Sequence, residues 1–344
     1  MSEQPHDKLV REEFRDPDRA RGLLRIMLGE KTCSAMKLDT LRVLDGHFID
    51  SELKPHEADL LLAVGEETQA TLIYILLDHQ STPDRDMPFR LLRYVSRIHE
   101  AHRAGKIATG DPHRRPPVLP LVLYNGKKPW NVPLSLAGCQ ADAFSDSLPW
   151  FPALELRYTL FDLRSIEDTL LMRWRKKVAP SIVLTLLNLK HYSEDNLLER
   201  LRAWIDLIQM VEQQKQGLLA LERAFCYIFK TSALAYEDII EALEPKLDRE
   251  TKEMIKTTAD SIYDKGLQEG LEKGIQQGIQ EGREEGLAAA REQAARALRF
   301  LLRDKFGSQA DTAGEDIDRA GLDQILEWTT RILKAKMIED VFRT

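Results

Sequence analysis

The stretch ADLLLAVGEETQATLIYILLDHQST, residues 58–82, constrains the fold more than any other part of the chain. Two strongly apolar segments, LLLAV and TLIYILL, flank a short polar connection. Each has an acidic residue at its outer end, Asp59 before the first and Asp78 after the second. Apolar runs of this length between turn residues read as buried strands, joined here as an antiparallel hairpin. A turn centred between Thr68 and Gln69 pairs residues whose numbers sum to 137, which sets Asp59 opposite Asp78. Opposed residues share a face, with Cβ atoms about 4.5–5.5 Å apart. Alternation places Gln80 on that face if the second strand runs on so far.

Two carboxylates at that separation repel one another unless positive charge lies between them. A hard divalent cation fits, because Mg²⁺ takes oxygen ligands and is commonly held by one or two carboxylates, water and substrate phosphate. Asp59 and Asp78 are therefore candidate metal ligands and catalytic residues. The backbone carbonyl of His79 is a candidate third ligand, and Gln80 a candidate for orienting water or contacting the scissile phosphate. Mg²⁺ is the expected cofactor, with Mn²⁺ and Ca²⁺ as alternatives, and the chemistry is metal-assisted phosphodiester hydrolysis. The competing reading is structural, since DHQSTPD is made of turn-favouring residues and Asp is common at strand ends.

The flanking sequence frames this hairpin. From Asp7 to about residue 45 the pattern is helical, with Asp16 as a cap ahead of Pro17. After the hairpin, RLLRYVSRIHEAHR reads as a basic amphipathic helix with Arg90, Arg93 and Arg97 on one side. Arg90 and Tyr94 are candidates for phosphate contact, against a solvated helix charge and a core tyrosine. VLPLVLY, residues 118–124, reads as a buried strand closed by the turn pair Asn125-Gly126, with Pro120 better suited to an edge or a bulge than to a central strand. LELRYTLFDL, residues 154–163, reads as another strand ending near Asp162. Beyond about residue 165 strand signals nearly vanish and helical periodicity dominates to residue 260.

Six glycines, Gly266, Gly270, Gly274, Gly278, Gly282 and Gly286, then recur at every fourth position, with Leu267, Leu271, Ile275, Ile279 and Leu287 at the same step beside them. A four-residue step advances about 400° around an α-helix, so the stripe drifts by about 40° per repeat. Each internal glycine costs about 0.5–1 kcal/mol relative to alanine. A helix here is expected to pack closely on a second helix, which suits self-association. A flexible linker is the alternative. Gln, Glu, Lys and Arg between the small residues argue against a membrane, despite the small-xxx-small pattern.

Composition excludes several classes. The chain has 344 residues and a formal net charge of −7, which argues against a binder of nucleic acid over its whole surface. Its basic residues are instead grouped locally. No apolar run approaches the roughly 20 residues that span a bilayer. The polar start MSEQPHDKLVREEF lacks an apolar signal core, so a cytoplasmic location is expected. Cys33, Cys139 and Cys226 are odd in number and form no CxxC pair, which argues for reduced thiols. There is no HExxH and no GxxxxGK[ST].

Taken in order, PHDKLVREEF, LDTLRVLDGHFID, ADLLLAV, YILLDHQST, MPFRLLRYVSRI, PPVLPLVLYNGKKPW and the glycine repeat resemble the Rpn family of recombination-promoting nucleases, the YhgA-like transposases. The resemblance is strong over about residues 5–165 and recognisable at the repeat. It implies a PD-(D/E)XK core, a mixed α/β sheet flanked by helices, with metal-dependent DNA endonuclease activity in recombination. In that pattern the two carboxylates correspond to Asp59 and Asp78, and Gln80 replaces the usual lysine. A recurrent His-Asp of the family matches His6-Asp7, which would let Asp7 approach the metal; a helix cap is its bland reading. This chain has Asp78-His79-Gln80-Ser81 where relatives usually carry Glu-His-Gln-Ser, so its second carboxylate is one methylene shorter. The expected organisation is a nuclease-like domain over 1–165, a helical domain over 166–260, and a self-associating glycine-repeat helix with C-terminal helices over 261–344. The alternative is a weakened or inactive DNA-binding relative on the same fold.

Overall fold

The structure is a computed structural model and describes residues 5–44, 60–65, 73–107, 115–139, 154–192, 194–244 and 246–342. The chain divides into two compact units, Met1–Ile262 and Tyr263–Thr344.

In the first unit a five-stranded mixed sheet has the order β1 (Arg42–Leu44), β2 (Leu60–Val64), β3 (Ile73–Gln80), β4 (Val118–Tyr124), β5 (Thr159–Asp162). The β1–β2 and β2–β3 pairs are antiparallel, and β3–β4 and β4–β5 are parallel. β2 pairs with β3 in the expected register, Leu60 opposite Leu77 and Val64 opposite Ile73. The turn residues Thr68 and Gln69, and Asp59 itself, lie outside the described residues.

Helices cover both faces of the sheet, which explains why its strands read as continuous apolar runs rather than as alternating ones. Leu61, Ala63, Tyr74, Leu76 and Val122 pack against Met87, Leu91, Tyr94 and Ile98 of α3 (Met87–Arg103). Leu60, Leu62, Ile75, Leu77, Leu121 and Leu123 face a larger core. That core includes Val10 and Phe14 of α1 (Pro5–Phe14), Leu23 and Leu24 of α2 (Pro17–Ser34) and most of α5 (Pro180–Leu189). Asp16 caps α2 as its sequence suggested, its carboxylate accepting from the N–H groups of Asp18 and Arg19.

After β5 come α4 (Asp168–Met172), α5, α6 (Glu194–Ala203), α7 (Ile205–Glu212), α8 (Gly217–Thr231) and α9 (Tyr236–Leu243). The loss of strand signals near residue 165 thus marks the end of the sheet. The helices beyond it share the core beneath one sheet face, through Ile182, Trp204, Leu221 and Phe225.

Two local readings differ from the sequence expectation. Residues 42–44 form β1 rather than helix, because their pairing partner is β2 and not their own neighbours. Pro120 sits in an interior strand, but β5 pairs with β4 only from Leu121 onward. The proline therefore precedes the part of β4 that has strands on both sides, and the missing N–H is tolerated there.

The glycine repeat lies within one continuous helix, α10 (Arg249–Phe306). Leu267, Leu271, Ile275, Ile279 and Leu287 are exposed on it, and a Cβ built on any of the six repeat glycines meets nothing within 4 Å. In the second unit the end of α10 joins α11 (Gly314–Arg319), α12 (Leu322–Arg331) and α13 (Glu339–Phe342) around a small core of Leu298, Leu302, Ile317, Ile325 and Trp328. Among the described residues no helix is long and apolar enough to cross a membrane.

Candidate active site

The candidate site lies at the carboxyl end of β3. Alternation sends Asp78 and Gln80 to the α3 face and the His79 ring to the opposite face, so three consecutive residues serve two environments. Asp78 is only 1% exposed. Its two oxygens lie 2.9 and 2.7 Å from one guanidinium nitrogen of Arg90, one turn into α3. The other terminal nitrogen of Arg90 reaches Asp84, at 3.1 Å, in the loop before the helix. Arg90 is thus the counter-ion of a buried carboxylate, and Tyr94, 4% exposed, is a core residue beside Leu91 and Ile98.

Gln80 completes this side. Its amide nitrogen donates to Asp78 Oδ1 at 2.5 Å and to the His79 backbone carbonyl at 2.7 Å. Two hard oxygen acceptors, a carboxylate and a peptide carbonyl, therefore meet at the Gln80 amide nitrogen at the strand end. That oxygen set is the kind Mg²⁺ takes. Among the described residues no cluster of three or more His, Cys, Asp or Glu side chains could hold a metal.

On the opposite face the His79 ring is 3% exposed and bonded at both nitrogens. Nδ1 meets Asp7 Oδ1 at 2.7 Å and Nε2 meets Asn125 Oδ1 at 3.2 Å. The Asn125 amide is oriented by the Leu189 carbonyl, which accepts from its nitrogen at 3.2 Å. Its oxygen therefore faces His79 and calls for a donating Nε2–H. Asp7, in the first turn of α1, meets the ring from the other side.

His6 extends the network. Its Nδ1 lies 2.6 Å from the Tyr227 hydroxyl and 3.3 Å from the Asn125 amide nitrogen. Burial raises the Tyr227 pKa and keeps that hydroxyl a donor. Burial also lowers the His6 pKa to about 4, helped by the neighbouring His79 and His191 and by Lys127, against the opposite pull of Asp7. His6 is accordingly a neutral acceptor at neutral pH.

The structure brings Asp78, Gln80 and the His79 carbonyl together, while Asp59 lies outside the described residues. Asp7 contacts the His79 ring rather than Asp78. Asp162 caps the turn after β5, accepting from the Arg164 N–H at 3.0 Å, which is the simpler of its two readings. Three participants escaped the sequence reading: the counter-ion role of Arg90, the bridging amide of Asn125, and Tyr227. Asn125-Gly126 had been legible only as a turn pair. A Cβ on Gly126 would fall 2.2 Å from the Tyr124 hydroxyl and 2.5 Å from the Ser81 carbonyl, so the glycine lets this loop close over the end of β3.

Comparison with known proteins finds related chains. The family model described as "Putative transposase, YhgA-like" matches residues 4–219. The recombination-promoting nuclease RpnA of Escherichia coli (strain K12) is 28% identical over 273 residues, covering 78% of this chain and 86% of RpnA. RpnC of the same organism is 28% identical over 271 residues, covering 77% of this chain and 82% of RpnC. The inactive recombination-promoting nuclease-like protein RpnE, also from that organism, is 28% identical over 195 residues, covering 56% of this chain and 60% of RpnE. No solved structure matches. With more than half of its length matched by the family model, the chain belongs to the YhgA-like transposase family.

Proposed function

We propose that this protein is a metal-dependent DNA endonuclease that promotes recombination, built on a PD-(D/E)XK-type core. The observation that carries the reading is that the Asp78 carboxylate and the His79 carbonyl are both held by the Gln80 amide, which leaves the three groups within one hydrogen-bonded cluster. Asp59, Asp78 and the His79 carbonyl would hold the ion, with Mg²⁺ the best match to an all-oxygen donor set. A bound Mg²⁺ would supply charge stabilisation to the phosphate and a more acidic water.

The protein's own residues prepare the place. Arg90 fixes the plane of the Asp78 carboxylate through both oxygens. The Asp7–His79–Asn125 chain fixes the backbone of β3 from behind. Gln80, able to donate and accept, can turn its amide from Asp78 toward a water or a phosphate oxygen. DNA is the proposed partner, the cytoplasm the proposed location, and the exposed Leu/Ile stripe of α10 the proposed surface for self-association. Calorimetric titration with Mg²⁺ or Mn²⁺ tests the site: wild type should bind and Asp78→Asn should lose most of the affinity, while equal binding would remove the assignment.

A second reading has an observation of its own. Arg90 already neutralises Asp78, and relatives named inactive exist. In this reading the protein binds DNA without cutting it, because the short Asp78 side chain is retained by Arg90. Asp78→Glu separates the two, since added reach should raise cleavage sharply only if the shorter arm is the defect.

A further inference from the structure

A cleft of about 370 Å³ opens at the carboxyl ends of the parallel strands β4 and β5, apart from the α3 face that carries Asp78 and Gln80. Asn125, Gly126 and Lys127 line it after β4, Arg164 after β5, and Lys190 and His191 after α5. Ligands of α/β sheets commonly bind at this edge, outside the carboxyl ends of the strands. The volume lies in the range of small-molecule sites.

The lining is cationic and its charges are partly uncompensated. Lys127 is exposed and has no carboxylate partner among the described residues. Arg164 has Asp162 at 3.6 Å. Lys190 is held against Asp168 at 2.6 Å, and the same carboxylate also meets Arg200 at 3.3 Å. Three cationic lining side chains, Lys127, Arg164 and Lys190, thus stand against the two carboxylates of Asp162 and Asp168. Lys127 also helps to lower the pKa values of both His6 and His191, after burial in each case, as expected of a positive potential without a counter-ion. His191 adds an uncharged hydrogen-bonding group at the wall. Compact oxyanions suit such a mixture of lysine, arginine and imidazole.

We infer that this cleft is a binding site for a phosphate group borne by a nucleotide. The phosphate would lie between Lys127 and Arg164, with His191 at its side and the tight Gly126 backbone giving it room. It would come either from a free nucleotide or from the end of a DNA strand. The cationic cleft stands by itself, while the choice of a nucleotide as the bearer of the phosphate rests on the nuclease reading; Asn125 joins the cleft wall to His79 and so to the end of β3.

The test uses the full chain without added metal, so no turnover is involved. Calorimetry with inorganic phosphate and with a deoxynucleoside 5′-monophosphate reads the free ligand. Fluorescence anisotropy with a short duplex, with and without a 5′-phosphate, reads the strand end. Wild type should bind at least one phosphate-bearing probe and ignore the unphosphorylated nucleoside. The exposed-site variants Lys127→Glu and Arg164→Glu should each weaken that binding about tenfold or more, and Asp78→Asn should leave it unchanged. Phosphate-dependent binding of the mononucleotide assigns the free source, and a preference seen only with the phosphorylated duplex assigns the strand end. No saturable binding of any phosphate probe, or binding untouched by both charge reversals, would overturn the inference. Loss in Asp78→Asn alone would overturn it too, by moving the phosphate to the α3 face.

Discussion

One guanidinium nitrogen of Arg90 holds both oxygens of the buried Asp78 carboxylate, at 2.9 and 2.7 Å, across the contact between α3 and the end of β3. Removing one member of a buried ion pair leaves an uncompensated charge, which typically costs about 3–5 kcal/mol. Arg90 retains some solvent access, with 18% of its side chain exposed, so Arg90→Met is expected to destabilise the protein by about 2–4 kcal/mol. The double variant Arg90→Met/Asp78→Asn should recover part of that loss. Urea denaturation measures both, and a fully additive pair would show that the contact contributes nothing.

His6 makes stability depend on acidity. Its pKa falls from an ordinary 6.5 to about 4 on folding, chiefly through burial. Between those values the unfolded chain binds a proton that the folded one refuses. Stability present above pH 6.5 is therefore lost as pH falls toward 4. With solvent screening allowed for, the loss is on the order of 1–2 kcal/mol. Thermal midpoints from pH 7.5 to 4.5 should fall less steeply in His6→Gln than in wild type; parallel profiles would assign the acid sensitivity to other groups.

Gly126 admits no side chain without movement. A methyl group there would run into the Tyr124 hydroxyl and the Ser81 carbonyl, and one of these is backbone. Overpacking of this kind costs about 1–3 kcal/mol. Gly126→Ala is expected at the upper end, because the Tyr124 hydroxyl is also tied to the Lys128 carbonyl at 2.5 Å. Chemical denaturation reads the loss, and an unchanged midpoint would mean that the loop relaxes freely.

The hairpin register was legible in the sequence because two apolar runs around a polar turn admit few pairings, and a slip of one residue would turn every side chain over. For the same reason Asp78 and Gln80 could be put on one face. The surroundings were hidden by distance along the chain. His79 finds Asp7 across 72 positions and Asn125 across 46, and no local period encodes such contacts. Arg90 was ambiguous for another reason. Its helix shows a basic side in projection, yet the first turn lies against β3, so one arginine of that side is drawn inward while Arg93 stays exposed. β1 is three residues long and has no strand signature apart from its partner.

The α10 stripe carries an expectation about assembly. Leu271 and Ile275 are 65% and 54% exposed beside glycines with open space above them, a surface that a second helix could approach closely. Leu271→Glu with Ile275→Glu should lower the mass of any oligomer seen by light scattering and leave the unfolding free energy of the Met1–Ile262 unit within about 0.5 kcal/mol of wild type, as is usual for surface changes. An oligomer of unchanged mass would place self-association elsewhere.

The most direct test of the central claim is plasmid nicking and linearisation by purified protein with Mg²⁺ or EDTA, comparing wild type with Asp59→Ala, each checked for folding by circular dichroism. The expected result is cleavage by wild type that needs the metal and falls at least 100-fold in Asp59→Ala, by analogy with the loss of other groups that stabilise transition-state charge. Well-folded wild type that cuts with neither Mg²⁺ nor Mn²⁺, or a variant that cuts equally well, would contradict it.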